Sequence, residues 1–340
     1  MIRSRFKLLL SSTALSLLLP ASAQDSTNYP TIGEIVRFSD EANKILSSDA
    51  KIEVISSGYV WSEGPAWNKQ GGFLAFSDVP ENKVYKWVEG KGASLWIQPS
   101  GYTGLGEYAG SDGSNGLAFD DAGNLYSCEC GDRRISILTK GQGKRTLADN
   151  YNGMRFNSPN DISLHSNGDI YFTDPEYGLP KPGLDGKETP YMGVYVIRKD
   201  GSVELVDDSL TAPNGIALSV DEKTLYVANS DRANNPKVYA YPIKKDGSFG
   251  KRRTFFNAQD YPALKGMSPD GMKFDARGNL WIGGIIGGVV LNPQGAPIAL
   301  INSGEKISNC AFGGPDGSTL YMTSDTYIIK VETKVKGIGF

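Results

Sequence analysis

The 340-residue chain predicts an all-β fold: a six-bladed β-propeller of four-stranded antiparallel blades, its ring closed by an N-terminal strand. Three observations carry this. One hairpin pattern occurs six times, as "SEGPAWNKQGGFLAFSD" (62–78), "SNGLAFDDAGNLYSCE" (114–129), "PNDISLHSNGDIYFTD" (159–174), "PNGIALSVDEKTLYVANS" (213–230), "PDGMKFDARGNLWIGG" (269–284) and "SNCAFGGPDGSTLYMTS" (308–324). Each opens on a small residue or proline and one polar residue, then runs through an apolar strand, a Gly/Asp/Asn turn and a second strand. The polar residues Glu63, Asn115, Asn160, Asn214, Asp270 and Asn309 stand 52, 45, 54, 56 and 39 positions apart, room for one four-stranded unit per repeat. The 41 glycines and 18 prolines are the punctuation of a turn-dense chain.

From the N-terminus, Arg3, Arg5 and Lys7 precede an apolar run from Leu8 to Leu19 and the small-residue stretch "ASAQ". This is the pattern of a secretory signal peptide, residues 1–23, cut after Ala23. About a dozen apolar residues fall short of the roughly 20 that span a bilayer. The mature chain is therefore expected in the periplasm or outside the cell, with no membrane attachment after cleavage. Residues 24–50 read as an extension in which "EIVRFSDEANKIL" (34–46) sets Ile35, Phe38, Ala42 and Ile45 along one face of a short helix.

Residues 51–340 are expected to form the propeller. Only the 31 residues from Cys310 to Phe340 follow Asn309, too few for a whole blade. The unassigned strand "KIEVIS" (51–56) is expected to pair there and remove an open sheet edge. Between hairpins, "KVYKWV", "ASLWIQ", "GVYVIR" and "SVELVD" supply outer strands.

The formal charge of −3 becomes −6 once the three basic leader residues are removed, which argues against nucleic acid as a partner. Cys128, Cys130 and Cys310 are an odd number. The two cysteines of "CEC" are held two residues apart in one extended strand, a poor geometry for a bridge, so all three are read as small buried hydrophobes. The single histidine, His165, falls in a turn on the far face as an exposed residue, which rules against a His-based metal site or a Ser-His-Asp triad. A monomer is expected.

In a hairpin the start of the first strand and the end of the second lie at one edge, so the six polar residues share a face of the ring. Asp78, Glu129, Asp174, Asn229 and Ser324 end the second strands beside them. Connections on the opposite face are short, such as "DAGN" and "SNGD". The long ones, "PSGYTGLGEYAGSDG", "PEYGLPKPGLDGKETPYMG", "NSDRANNPK" and "NAQDYPALKGMS", gather over the polar face, as walls and a partial lid.

Taken singly, an asparagine before glycine is a turn residue bonding its own chain. Six polar residues converging on a narrow channel are different, because two carboxylates facing one another in a poorly solvated site raise a pKa or require a cation. Carboxamide oxygens are neutral ligands for a hard ion. An all-oxygen set favours Ca²⁺, with Mg²⁺ or Mn²⁺ next.

The ordered set "WSEGPAW" (61–67), "RFNSPNDI" (155–162), "YFTDPEYG" (171–178), "APNGIALS" (212–219) and "PDGMKFDARGNLW" (269–281) resembles the gluconolactonase/regucalcin family of six-bladed propellers, bacterial secreted gluconolactonases above all. The resemblance implies one catalytic divalent metal held by Glu63, Asn214 and Asp270, with Asn160 on metal or substrate. It implies that Asp270 also accepts or donates the proton. The implied cage is similar to that of diisopropyl fluorophosphatase, whose second calcium involves a histidine without counterpart here. Asn115 and Asp174 are expected either to support the metal ligands from behind or to meet sugar hydroxyls, and Tyr177, in the lid loop, to stack on a sugar face.

The expected activity is metal-dependent hydrolysis of a small-molecule lactone, gluconolactone-like, to its hydroxy acid. Two other readings stay open. The same cage serves an organophosphate or other ester hydrolase, and a propeller of this kind also serves as a non-catalytic glycan- or protein-binding module.

Overall fold

Segments of period two joined by short Gly-rich turns pair with their sequence neighbours, and the six repeat hairpins do so. The computed structural model describes residues 28–105, 108, 111–180, 186–233 and 236–340; the expected signal peptide lies outside them. From the centre outward, blade 1 is Ser62–Asn68, Phe73–Asp78, Lys83–Val88 and Gly92–Ile97, and blade 2 is Ser114–Phe119, Leu125–Glu129, Arg134–Thr139 and Gly143–Ala148. Blade 3 is Ile162–Leu164, Ile170–Asp174, Gly193–Ile197 and Val203–Asp207; blade 4 is Pro213–Leu218, Thr224–Asn229, Lys237–Pro242 and Arg253–Asn257. Blade 5 comprises Pro269–Phe274, Leu280–Gly284, Gly288–Leu291 and Pro297–Asn302, and blade 6 starts with Asn309–Gly313, Thr319–Ser324 and Tyr327–Glu332.

The strand Ile52–Ser57 is the fourth of blade 6, with Ile328 opposite Ser56 and Lys330 opposite Glu53. The ring thus closes between the two ends of the chain, as expected. Trp67 of blade 1 stacks on Tyr321 of blade 6, ring centroids 5.4 Å apart.

The extension differs from expectation. Glu34–Arg37 is a strand, paired along blade 5 from Glu34 opposite Asn302 to Arg37 opposite Ala299. The helix is only Ala42–Ile45. The 3.6-residue spacing of Ile35, Phe38, Ala42 and Ile45 was outweighed by the unpaired backbone groups on the outer edge of blade 5, which a strand satisfies and a helix does not. Ala42, Ile45 and Leu46 are buried against blades 5 and 6.

The apolar core is six wedges, one between each pair of adjacent blades. Leu74, Phe76 and Trp87 meet Tyr321 and Ile328 between blades 1 and 6, and Val194 and Val196 meet Ile216 and Val227 between blades 3 and 4. Both faces of each sheet are therefore covered, which explains runs such as Phe73–Asp78 buried at every position. Among the described residues no helix is long and apolar enough to cross a membrane.

A candidate active site in the central channel

The polar residues reach the channel through a shared irregularity. Pairing between first and second strands slips at Glu63 to Ala66, Ser114 to Leu117, Pro213 to Ile216 and Pro269 to Met272. A bulge bends its strand and re-aims a side chain; it falls on the polar residue and the glycine after it in blades 2, 4 and 5, and on Gly64 and Pro65, just after Glu63, in blade 1. In blade 3 the strand begins at Ile162, after Asn160 and Asp161, and in blade 6 Asn309 pairs regularly with Thr323.

The glycines let the inner strands approach. A Cβ on Gly64 would stand 2.0 Å from the Asn115 carbonyl oxygen, and one on Gly215 2.0 Å from that of Asp270. Each glycine thus seats the polar residue of the next blade. Hydroxyls fasten the same backbone: Ser77 Oγ donates to the Asn115 carbonyl at 3.0 Å, and Thr173 Oγ1 to that of Asn214 at 2.7 Å.

Glu63, Asn115, Asn160, Asn214 and Asn309 are all buried, and Asp270 is half-buried. Burial raises the Glu63 carboxyl well above its usual range, and Asp270 and Asp161 add to the rise, while the Gly64 N–H and the Asn309 side chain oppose it. Gly64 N donates to Glu63 Oε2 at 2.8 Å. The Asp270 carboxyl is raised by burial first and by Asp161 second, with the Gly271 N–H, the Asn214 side chain and Arg232 pulling it down. Glu63 of blade 1 and Asn214 of blade 4 therefore each interact with Asp270 of blade 5.

Two atoms of the ring are out of balance. Asp270 Oδ1 and Asn115 Oδ1 are buried without a hydrogen-bond partner among the described residues. An unsatisfied buried acceptor costs about 1–3 kcal/mol, and an oxygen that accepts no hydrogen bond is free to face a cation. The donor set fits a hard divalent ion: two carboxylates and neutral carboxamides, all oxygen. No three His, Cys, Asp or Glu side chains gather as a metal cluster among the described residues, so any cage here depends on its asparagines.

Asp161 is the carboxylate that pattern reading passed over. It is buried, and its oxygens accept the Ile162 N–H at 2.9 Å and the Ile216 N–H of blade 4 at 3.2 Å. It stands where blades 1, 2, 4 and 5 carry glycine, which was the available signal. Asp174, expected at the sugar, is elsewhere. It is fully buried, its oxygens accept the Asn157 and Ser158 N–H groups at 2.7 Å each, and burial pushes its pKa up to about 7. Asp78 bonds the Val60 and Trp61 amides in the same way and Asn229 bonds that of Ala212. These second-strand ends clamp the chain entering the same blade.

Tyr177 sits over the mouth, 44% exposed. Burial of its hydroxyl and the Asp270 charge raise its pKa, and the side chains of Ser230 and Asn214 oppose the rise. The hydroxyl thus points at the site while part of the ring stays open.

A cavity of about 690 Å³ opens at the other mouth, lined by Trp67, Phe119, Leu164, Phe274, Phe312 and Phe340 among others. It contains none of the six polar ring residues. His165 lines it and is half-buried rather than exposed, against Tyr171 and 3.4 Å from Glu222. The three cysteines are free and buried, and burial raises the Cys130 and Cys310 thiols to about 12, in keeping with a packing role.

Residues 61–326 match the family described as SMP-30/gluconolactonase/LRE-like region. The chain is 39% identical to a gluconolactonase of Zymomonas mobilis over 93% of its own length and 90% of the relative's. It is 29% identical to a regucalcin of Xenopus laevis, over 82% of this chain and 87% of that one. Among solved structures, a gluconolactonase from Xanthomonas campestris superposes with a TM-score of 0.76 at 28% identity, covering 91% of this chain and 96% of the other.

Proposed function

The chain belongs to the SMP-30/gluconolactonase/LRE-like family, and from that premise we propose how its channel works. The protein is a hydrolase that opens a sugar lactone to the hydroxy acid, as the gluconolactonase and lactonohydrolase relatives support. The observation that carries the reading is the interaction of both Glu63 and Asn214 with Asp270, whose buried Oδ1 is left without a hydrogen bond among the described residues.

Those three side chains would hold one divalent cation, with Asn160 as a fourth oxygen or a substrate contact. Ca²⁺ suits the set, with Mg²⁺ or Mn²⁺ as alternatives. Such an ion, when bound, polarises a carbonyl and acidifies water. Asp270 takes the proton from the attacking water and returns it to the ring oxygen as the acyl C–O bond breaks. Glu63 is held for its part by the Gly64 N–H. Asn115 offers its free carbonyl oxygen to a sugar hydroxyl, and the open part of the Tyr177 ring packs on the sugar face. The leader-like N-terminus supports a periplasmic or secreted location.

The deciding experiment follows lactone hydrolysis, corrected for the spontaneous reaction, as Ca²⁺, Mn²⁺ or Mg²⁺ is returned to stripped protein. Restoration by at least one of them is expected. Equal activity with and without metal would remove the cation from the account.

A further inference from the structure

Hydrolysis creates charge. Water adds across the acyl–oxygen bond of a neutral lactone, the ring oxygen leaves as a hydroxyl, and the new carboxylic acid loses its proton to solvent. The anion forms beside the carboxyl groups of Glu63, Asp161 and Asp270, whose field a neutral substrate does not feel in the same way.

Arg232 is placed to meet that anion. It lies on the loop following Thr224–Asn229, on the site face. Ser230 Oγ donates to the Pro269 carbonyl at 2.5 Å and Ser268 Oγ to the Ser230 carbonyl at 2.8 Å, which staples the loop to the residue preceding Asp270. Asp231 accepts from Thr211 Oγ1 at 2.7 Å and from the Ala233 N–H at 3.0 Å, fixing the other side. Between these anchors the Arg232 side chain is exposed, with no hydrogen bond or ion pair among the described residues. Its charge reaches Asp270, where it favours the ionised form. Other cations are engaged: Lys187 with Glu176, and Arg134 and Lys144 with Glu129.

We infer that Arg232 is a specificity-determining residue that reads ligand charge, drawing the product carboxylate toward the rim beside Asp270. The inference rests on the lactonase reading for the identity of the anion and on the anchored loop for the position of the cation. It implies that the enzyme is inhibited by its product, and that lactones carrying an acidic group bind better than neutral ones of the same size.

The test titrates gluconate into the cation-loaded wild type and the Arg232→Gln and Arg232→Lys variants by calorimetry, at low and high salt, beside steady-state kinetics on gluconolactone. Arg232→Gln is expected to weaken gluconate binding roughly 3- to 10-fold at low salt, with kcat/KM for the neutral lactone falling by a smaller factor. Arg232→Lys should retain part of the affinity, and added salt should narrow the gap. Equal gluconate affinity in wild type and Arg232→Gln overturns the inference. So does a fall in kcat/KM as large as the fall in gluconate affinity, which would assign the guanidinium to the transition state. If wild type opens no sugar lactone yet Arg232→Gln still loses gluconate affinity, the substrate reading fails and the charge reading stands.

Discussion

At Asp270 the chain puts a carboxylate where solvation is poor and a second carboxylate, Asp161, is near; both raise its pKa, as burial and Asp270 itself do for Glu63. A cation must displace protons from both groups. Its affinity is therefore expected to climb as pH rises above the ordinary carboxylate range, with proton release visible as a buffer-dependent heat in calorimetry. Asp270→Asn removes the proton carrier at nearly constant volume. It should lower kcat by roughly 10²- to 10⁴-fold while the thermal midpoint moves only slightly. Asp174 behaves differently because it serves the fold. Its folded pKa of about 7 lies above the ordinary 3.8, so between these values the folded state binds the extra proton. Its stabilising contribution is full at pH below the ordinary value and is lost as pH rises through about 7. Asp174→Asn should abolish that component of the pH profile in urea unfolding. It also turns an amide NH₂ toward a backbone N–H, costing about 1–3 kcal/mol.

The element that makes the site is the bulged inner strand rather than any one side chain. Gly215 illustrates the constraint: a Cβ there meets backbone at 2.0 Å, and backbone cannot rotate away. Gly215→Ala is expected to destabilise the protein by about 1–3 kcal/mol and to weaken Ca²⁺ binding, because blades 4 and 5 must part where Asn214 and Asp270 converge. Unchanged stability together with unchanged Ca²⁺ affinity would contradict this packing account. The repeated polar residue was legible as one position in every hairpin and the short turns announced the hairpins, but the bulge at or beside that residue was not. The strand Glu34–Arg37 was not legible, since four residues with apolar spacing compatible with a helix become a strand only against the open edge of blade 5.

For the whole molecule the consequence is closure. Ile52–Ser57 supplies the last strand of blade 6, and its Ile52 and Ile55 sit in two different wedges of the core. A chain starting at residue 28 should keep the thermal midpoint of the full chain. One starting at residue 58 exposes the edge of Tyr327–Glu332 and should unfold at lower temperature and associate, as read by scanning calorimetry and size exclusion.

Local pattern alone determined the number of blades, the strand that closes them, the face that carries the long loops and the six repeated polar residues among which Glu63, Asn214 and Asp270 stand, because period, turn chemistry and repeat spacing are properties of neighbouring residues. The tertiary structure alone decided which polar groups reach the channel: it admitted Asp161, turned Asp174 into a backbone clamp and brought the Tyr177 hydroxyl and Arg232 to the rim. Those outcomes depend on how closely one blade packs on the next. Residues as far apart in the chain as Glu63 and Asp270 share a field only once the ring has closed.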